Sequence, residues 1–331
     1  NILTRKEYAY TTGAVGTELD SVSYAYNNAN WGDLLTAYNG AATGYDSIGN
    51  MGNNRGWTYT WTHGRELATI SDGNITWMNT YNADGIRTKR VSSNGTTYNY
   101  VYNGSSLSQM TVGGNTLNFA YDASGSPMAV VYNGAVYYYI TNLQGDVVAI
   151  LDSNKNVVVE YTYDAWGRIL TTSGSMATTL GVHNPLRYRG YVYDHEVGLY
   201  YLQSRYYDPA LSRFINADTF ASTGQGLLGN NMFAYCCSNP VIRSDSFGRV
   251  WATAIAGGGS VGLGASISLG SLLNTAAAAL GTLVPVGAVV VGIVVVVGVV
   301  YSAVTYAKTD DESNTDGRIT SPIGRRNTYN T

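Results

Sequence analysis

Chemistry in this sequence would have to come from a small set of side chains. The two cysteines, Cys236 and Cys237, are adjacent, which gives neither a disulfide framework nor metal-ligand spacing. A bridge between neighbours would also be strained. They are expected to be small buried thiols. The three histidines, His63, His183 and His195, stand far apart, and only Glu196 lies beside one of them. No metal site and no cofactor are therefore expected. A denser grouping lies between residues 184 and 248, where Arg187, Arg189, Arg205 and Arg213 share the stretch with Asp194, Asp208 and Asp218. So many arginines in a strand-rich segment imply that they meet those aspartates or stack on tyrosines.

The elements that must position these groups are built from an unusual composition. Of 331 residues 29 are Tyr and 39 Gly, but only 5 are Phe, and charged residues reach 12% against the usual quarter. Tyr is thus the main large side chain available for packing. A net charge of -3 with scattered basic residues offers no patch for neutralising phosphates, so nucleic acid is not expected as a partner. The chain is long enough for two or three domains, and it begins at Asn1 in sequence that already reads as strand. It is expected to be a piece of something longer.

A short phrase recurs through the first half: Tyr26-Asn27, Tyr45-Asp46-Ser47-Ile48-Gly49-Asn50, Tyr81-Asn82-Ala83-Asp84-Gly85, Tyr102-Asn103-Gly104, Tyr121-Asp122-Ala123-Ser124-Gly125 and Tyr163-Asp164-Ala165-Trp166-Gly167-Arg168. The spacing is about 20 residues or a multiple of it, which marks a repeat architecture. Alternating stretches such as Thr58 to Trp61 and Val157 to Tyr163 lie between the phrases and read as strands. The phrase has a mechanical reason. An aromatic ends a strand, Asp or Asn starts a turn by bonding nearby backbone, and Gly supplies positive φ. Successive hairpins are expected to pair edge to edge, so that residues 1 to 248 form one continuous antiparallel sheet that curls on itself. These phrases resemble the YD repeats of the RHS family, whose strands spiral into a large hollow β-shell.

Residues 184 to 248 carry a more specific signature. Asn184 to Asp194, Gly198 to Pro209, Ser212 to Asp218, Asn231 to Tyr235, Ser238 to Val241 and Asp245 to Gly248 follow one another in the order and spacing of the RHS repeat-associated core, which this segment resembles. Tyr193-Asp194 and Tyr207-Asp208-Pro209 read as turns, and Leu199 to Leu202 as a strand with one buried face. The resemblance implies a plug that seals the shell and, in toxin-bearing members, cleaves itself. Aspartate-type cleavage needs one carboxylate ionised as base and another protonated as acid. The family places such acids at two Asp-Pro turns, and the matching residues are Asp218 and Asp245. Each has lost its proline, becoming Asp218-Thr219 and Asp245-Ser246. That loss favours two structural turn aspartates over a working pair.

After Arg249 no charge appears until Lys308, and the composition turns to Gly, Ala and Val. Residues 251 to 306 are expected to form one or two apolar helices, with Leu283 to Val304 long enough to span a bilayer. The competing reading keeps this segment inside the shell. The expected organisation is therefore a YD-repeat β-shell (1–170), the repeat-associated core (171–248), an apolar helical region (249–307) and a polar tail (308–331) too short to fold alone. The family resemblance implies a secreted or cell-surface module that encapsulates or delivers a C-terminal cargo, often a toxin, with no complete toxin domain in this chain. A membrane-anchored surface protein that binds glycans through aromatic faces is the alternative, and a self-cleaving aspartate protease the third.

Overall fold

The computed structural model describes residues 1–219 and 227–249, together with the strands Ala252–Thr253 and Asn327–Asn330. These residues are mainly β, and every strand pairing is antiparallel. The only α-helix among them is the four-residue Leu180–His183. The helices expected within 251–306, including the span 283–304, lie outside the described residues. No helix among the described residues is long and apolar enough to cross a membrane.

The repeats build a fourteen-stranded sheet that runs from Gly44–Tyr45 to Ile169–Ser173, each strand pairing with its neighbours in sequence. One face is buried, as the alternation dictates. In the strand Val157–Tyr163, Val159 and Tyr161 are buried while Glu160 is exposed. Six of its turns share one pattern of bonds. The Oδ1 of Asp46, Asn82, Asp122, Asn142, Asp152 and Asp164 accepts the backbone N–H groups two and four residues on, at 2.8–3.1 Å. The backbone N–H of the same Asp or Asn donates to the carbonyl four residues on, which closes the loop. The side chain thus satisfies donors that the turn would otherwise leave unpaired. The Asn142 and Asp152 turns lack the Tyr that marked the others. Tyr26-Asn27 is not such a turn, since Asn27 instead donates its N–H to Thr36 Oγ1.

The expectation of one continuous sheet over residues 1 to 248 requires correction. A separate five-stranded sheet runs Asn327–Asn330, Thr4–Tyr8, Glu18–Ala25, Ala37–Tyr38 and Ala41–Ala42, so residues near the C-terminus pair with the first strand. The core forms its own four-stranded sheet from Val192–Asp194, Leu199–Tyr201, Tyr206–Asp208 and Arg213–Phe214. Its strands are two or three residues long. Leu199–Tyr201 is buried at every position, not on one face as the alternation suggested, and Tyr207 and Asp208, which read as a turn, lie instead in the fully buried strand Tyr206–Asp208. A strand enclosed on both sides by tyrosines and arginines has no exposed face, and tight turns end it at once.

Two apolar clusters account for most of the buried core, beside a third of three residues, Leu34, Ala217 and Phe233. The larger combines sheet residues such as Leu67, Ile70, Leu117 and Ile150 with core residues Leu199, Tyr206, Leu211 and Ile215. The smaller gathers Trp166, Tyr188, Tyr191, Tyr200, Tyr207, Phe214 and Tyr235. Each fully buried aromatic of this size removes 150–250 Å² from water, the dominant favourable term.

Candidate functional site

The core is fixed to the repeats by buried charge. Arg87, at the start of a repeat strand, makes a bidentate pair with Asp194 at 2.5 and 2.8 Å. Its guanidinium also lies over the rings of Tyr201 and Tyr100, at 4.6 and 4.9 Å. Arg90 lies 3.9 Å over the Trp77 ring and bonds Glu196 at 2.9 Å. Burial alone would raise the Asp194 carboxyl, but the charges of Arg87 and Arg90 outweigh it and hold the group below the usual carboxylate range. Arg55, exposed in a turn on the repeat side, pairs through one nitrogen with the buried Asp208.

The arginines singled out in the sequence divide between the two expected roles. Arg187 stacks on Tyr193 and Tyr161, and Arg213 lies over Phe233 and Tyr26. Arg189 lies over Tyr188 and sits 3.6 Å from Asp146. Arg205 alone of the four meets one of the named aspartates in an ion pair, and it is the centre of the site.

Asp218 and Asp245 are brought together on Arg205. The Oδ2 of each carboxylate lies 3.0 Å from the same nitrogen, Arg205 Nη2, so the two oxygens stand within twice that distance of one another. All three side chains are almost completely buried, at 2%, 2% and 4% exposure. The guanidinium uses its other donors on backbone, with Nη1 on the Met232 carbonyl at 3.0 Å and Nε on the Gly248 carbonyl. Its flat face covers the Phe214 ring at 3.7 Å.

Local structure places each acid. Asp218 follows the short strand Arg213–Phe214, and its N–H donates to the Met232 carbonyl. Asp245 opens Asp245-Ser246-Phe247-Gly248-Arg249, whose pattern repeats the turn Asp164-Ala165-Trp166-Gly167-Arg168. Its Oδ1 accepts the Arg249 N–H at 2.9 Å, as Asp164 accepts that of Arg168. The Asp245 N–H, however, goes to Tyr191 Oη at 2.9 Å. Burial pushes the Asp245 carboxyl above its ordinary value, with nearby Asp218 adding to the rise while Arg205 and the Arg249 N–H oppose it. Two carboxylates in contact with one cation, one of them biased towards the protonated form, are the components of acid–base hydrolysis.

The remaining candidates are placed elsewhere. His63 pairs with Glu66 and His183 with Tyr132, and among the described residues no three ligating side chains gather around a metal site. Burial pushes the Cys236 thiol well up, consistent with an unreactive buried thiol, while Cys237 is partly exposed. The roles of Arg87, Arg90 and Arg55 were missed from sequence.

The fold and the sequence have recognisable relatives. The solved assembly TcdB2-TccC3-Cdc42 superposes with a TM-score of 0.53 over 74% of this chain and 15% of that chain, at 18% identity. TcdB2-TccC3 without its hypervariable C-terminal region gives 0.51 over 74% and 14%, at 19% identity. In sequence, the tRNA nuclease WapA of Bacillus subtilis strain 168 is 36% identical over 231 residues, 67% of this chain. The tRNA3(Ser)-specific nuclease WapA of Bacillus spizizenii is 35% identical over the same length. The chain spans 10% of the length of each of these nucleases. Residues 32–241 match the family described as Teneurin YD-shell, and with the repeat turns in place the chain belongs to that YD-shell family.

Proposed function

We propose that this chain is the closing end of a toxin-delivering YD-shell, a structural module that encloses a C-terminal polypeptide and carries it out of the cell. The observation that supports this most is the buried Arg87–Asp194 pair, which ties the core to the repeat sheet with both side chains at 2% exposure or less. A plug fastened so deeply suits a seal. Delivery implies export, so the chain belongs with secreted or cell-surface proteins. The experiment is limited proteolysis of the full chain in the absence of detergent. Enclosure predicts that residues after 249 resist protease in the wild type and are lost in Asp194→Ala. Equal digestion in both overturns enclosure, and a detergent requirement abolished by deleting 283–304 assigns that stretch to a membrane.

A second activity is favoured by the site itself. The approach of Asp218 and Asp245 on Arg205 supports self-cleavage at the core despite the missing prolines, because buried backbone and side-chain bonds hold both acids where a proline turn would have set only the main chain. Asp245→Asn is expected to abolish cleavage without unfolding the sheet. With the folded value of Asp245 raised, its protonated fraction falls as pH rises through that value, so cleavage should be faster at pH 5 than at pH 8. A flat rate over that interval would remove Asp245 as the acid.

A further inference from the structure

The five-stranded sheet has two unlike edges. One is Ala41–Ala42, two exposed residues. At the other end Asn327–Asn330 lies on the five-residue strand Thr4–Tyr8. A bare row of N–H and C=O groups on a strand of that length is a template for pairing with another chain, and natural edges are blunted by shortness, charge, proline or a cover. Ala41–Ala42 is blunted by shortness. Thr4–Tyr8 has no proline, and its charges are compensated within the molecule. Lys6 bonds Glu18 at 2.8 Å. Arg5 and Glu7 are buried, with Arg5 Nη1 donating to the Ala210 carbonyl at 2.9 Å and to Ser212 Oγ at 3.0 Å, and Glu7 paired with Arg168. What blunts this edge is its cover, Asn327–Asn330, in an unbroken antiparallel register from Tyr8↔Asn327 to Arg5↔Asn330.

The two strands are unequally fixed. Thr4–Tyr8 is held along its other edge by Glu18–Ala25 and, through Arg5 and Glu7, by the core segment and the Asp164 turn. Its outer row of main-chain groups therefore keeps its place whether or not it is covered. Asn327–Asn330 has four residues, fewer than the usual strand, and it begins and ends with Asn, a residue depleted in strands. A rigid acceptor joined to a short donor of low strand propensity makes a pairing that rests on main-chain bonds. Any extended segment without proline can offer the same bonds, and addition of a strand to a sheet edge is a general mode of peptide recognition.

We propose that the outer edge of Thr4–Tyr8 is a binding site for an extended segment of another polypeptide, taken antiparallel through main-chain hydrogen bonds, and that Asn327–Asn330 is the chain's own occupant of that site. The occupant shows the chemistry a partner needs, namely four consecutive uncharged residues without proline, with an aromatic in register with Lys6. Partner and C-terminal strand compete for the same donors and acceptors. Binding therefore requires the C-terminal strand to leave, and the apparent affinity is reduced by the fraction of molecules in which the edge is covered.

The test uses the full chain and a fluorescent synthetic peptide of residues 325–331. In the double variant Thr328→Pro/Tyr329→Pro the C-terminal strand loses main-chain donors, so the edge is uncovered at unchanged length. This variant should bind the peptide about tenfold or more tightly than the wild type does, and a peptide carrying the same two prolines should bind neither. Amide hydrogen exchange locates the site. Residues 4–8 should exchange faster in the proline variant, with the fourteen-stranded sheet unchanged, and saturating peptide should restore their protection. The variant Thr328→Ala/Tyr329→Ala keeps every main-chain donor and should remain covered like the wild type. Peptide binding that is equal in wild type and proline variant, or absent from both, overturns the site, as does protection restored anywhere but at residues 4–8. If the proline variant dimerises through the open edge, excess peptide should return it to monomers, and dimers that persist overturn the proposal.

Discussion

At the fourth position of the six repeat turns the backbone is left-handed, with φ of 68–86°, and five of the six residues are glycine. The exception is Lys155 at 68°, whose exposed side chain has no packing to lose. An L-residue there costs about 1–2 kcal/mol in the folded state, partly offset by the greater freedom of glycine in the unfolded chain. Lys155→Gly should therefore stabilise by about 0.5–1 kcal/mol, read as a higher urea midpoint at an unchanged slope. Gly167 is the opposite case. A Cβ there would lie 2.5 Å from the Tyr188 ring, whereas at Gly125 it would meet nothing within 4 Å. Gly125→Ala should cost only the backbone strain, and Gly167→Ala about 1–3 kcal/mol more. Equal midpoints for the two variants would remove the packing argument for Gly167.

At the scale of elements, what holds the core against the sheet is charge enclosed by aromatic rings. Removing one partner of a buried pair leaves the other uncompensated, so Asp194→Asn should cost about 3–5 kcal/mol. The pH dependence has a definite sign. The folded value of Asp194 is depressed below the ordinary carboxylate value of about 3.9, so its contribution is present above that value and lost as pH falls through the folded one. Stability should drop steeply in acid below about pH 4, and the drop should be shallower in Asp194→Asn. Asp245 acts in the opposite sense, since its raised folded value makes its contribution greatest in acid and smaller as pH rises through that value. The turns were legible because one residue type does each local job, with Asp or Asn bonding forward and Gly taking positive φ. Asn142 and Asp152 escaped because the mark used was the preceding Tyr, which packs but does not build the turn. The partners of Asp194 and Asp208 escaped for a different reason. Arg87 opens a repeat strand and Arg55 sits in the turn between two others, 107 and 153 residues away, and no local pattern tells an arginine that pairs with the core from a solvated one. Asp218 and Asp245 were named by resemblance, and only the structure places Arg205 between them.

Over the whole molecule, local and distant contacts are sharply divided. Each of the fourteen strands pairs with the strand before or after it, while the bonds that fasten the core reach farther back, 23 positions in Tyr188–Ala165 and 107 in Arg87–Asp194. This division sets an order of assembly. Short loops cost little entropy to close, so hairpins can add one by one as the chain is synthesised, and the sheet needs nothing downstream to begin forming. The face that will receive the core must wait, with Arg87, Arg90 and the inward tyrosines in water, until residues 184–248 emerge. A chain ending at 183 should thus acquire β-sheet circular dichroism but bind an apolar dye and resist no protease, and adding residues 184–249 in trans should reverse both. If the truncated chain shows no sheet signal, the strands are not forming ahead of the core. If it does, late arrival of the core leaves an interval during synthesis in which the sheet is formed and the face that receives the core is still uncovered.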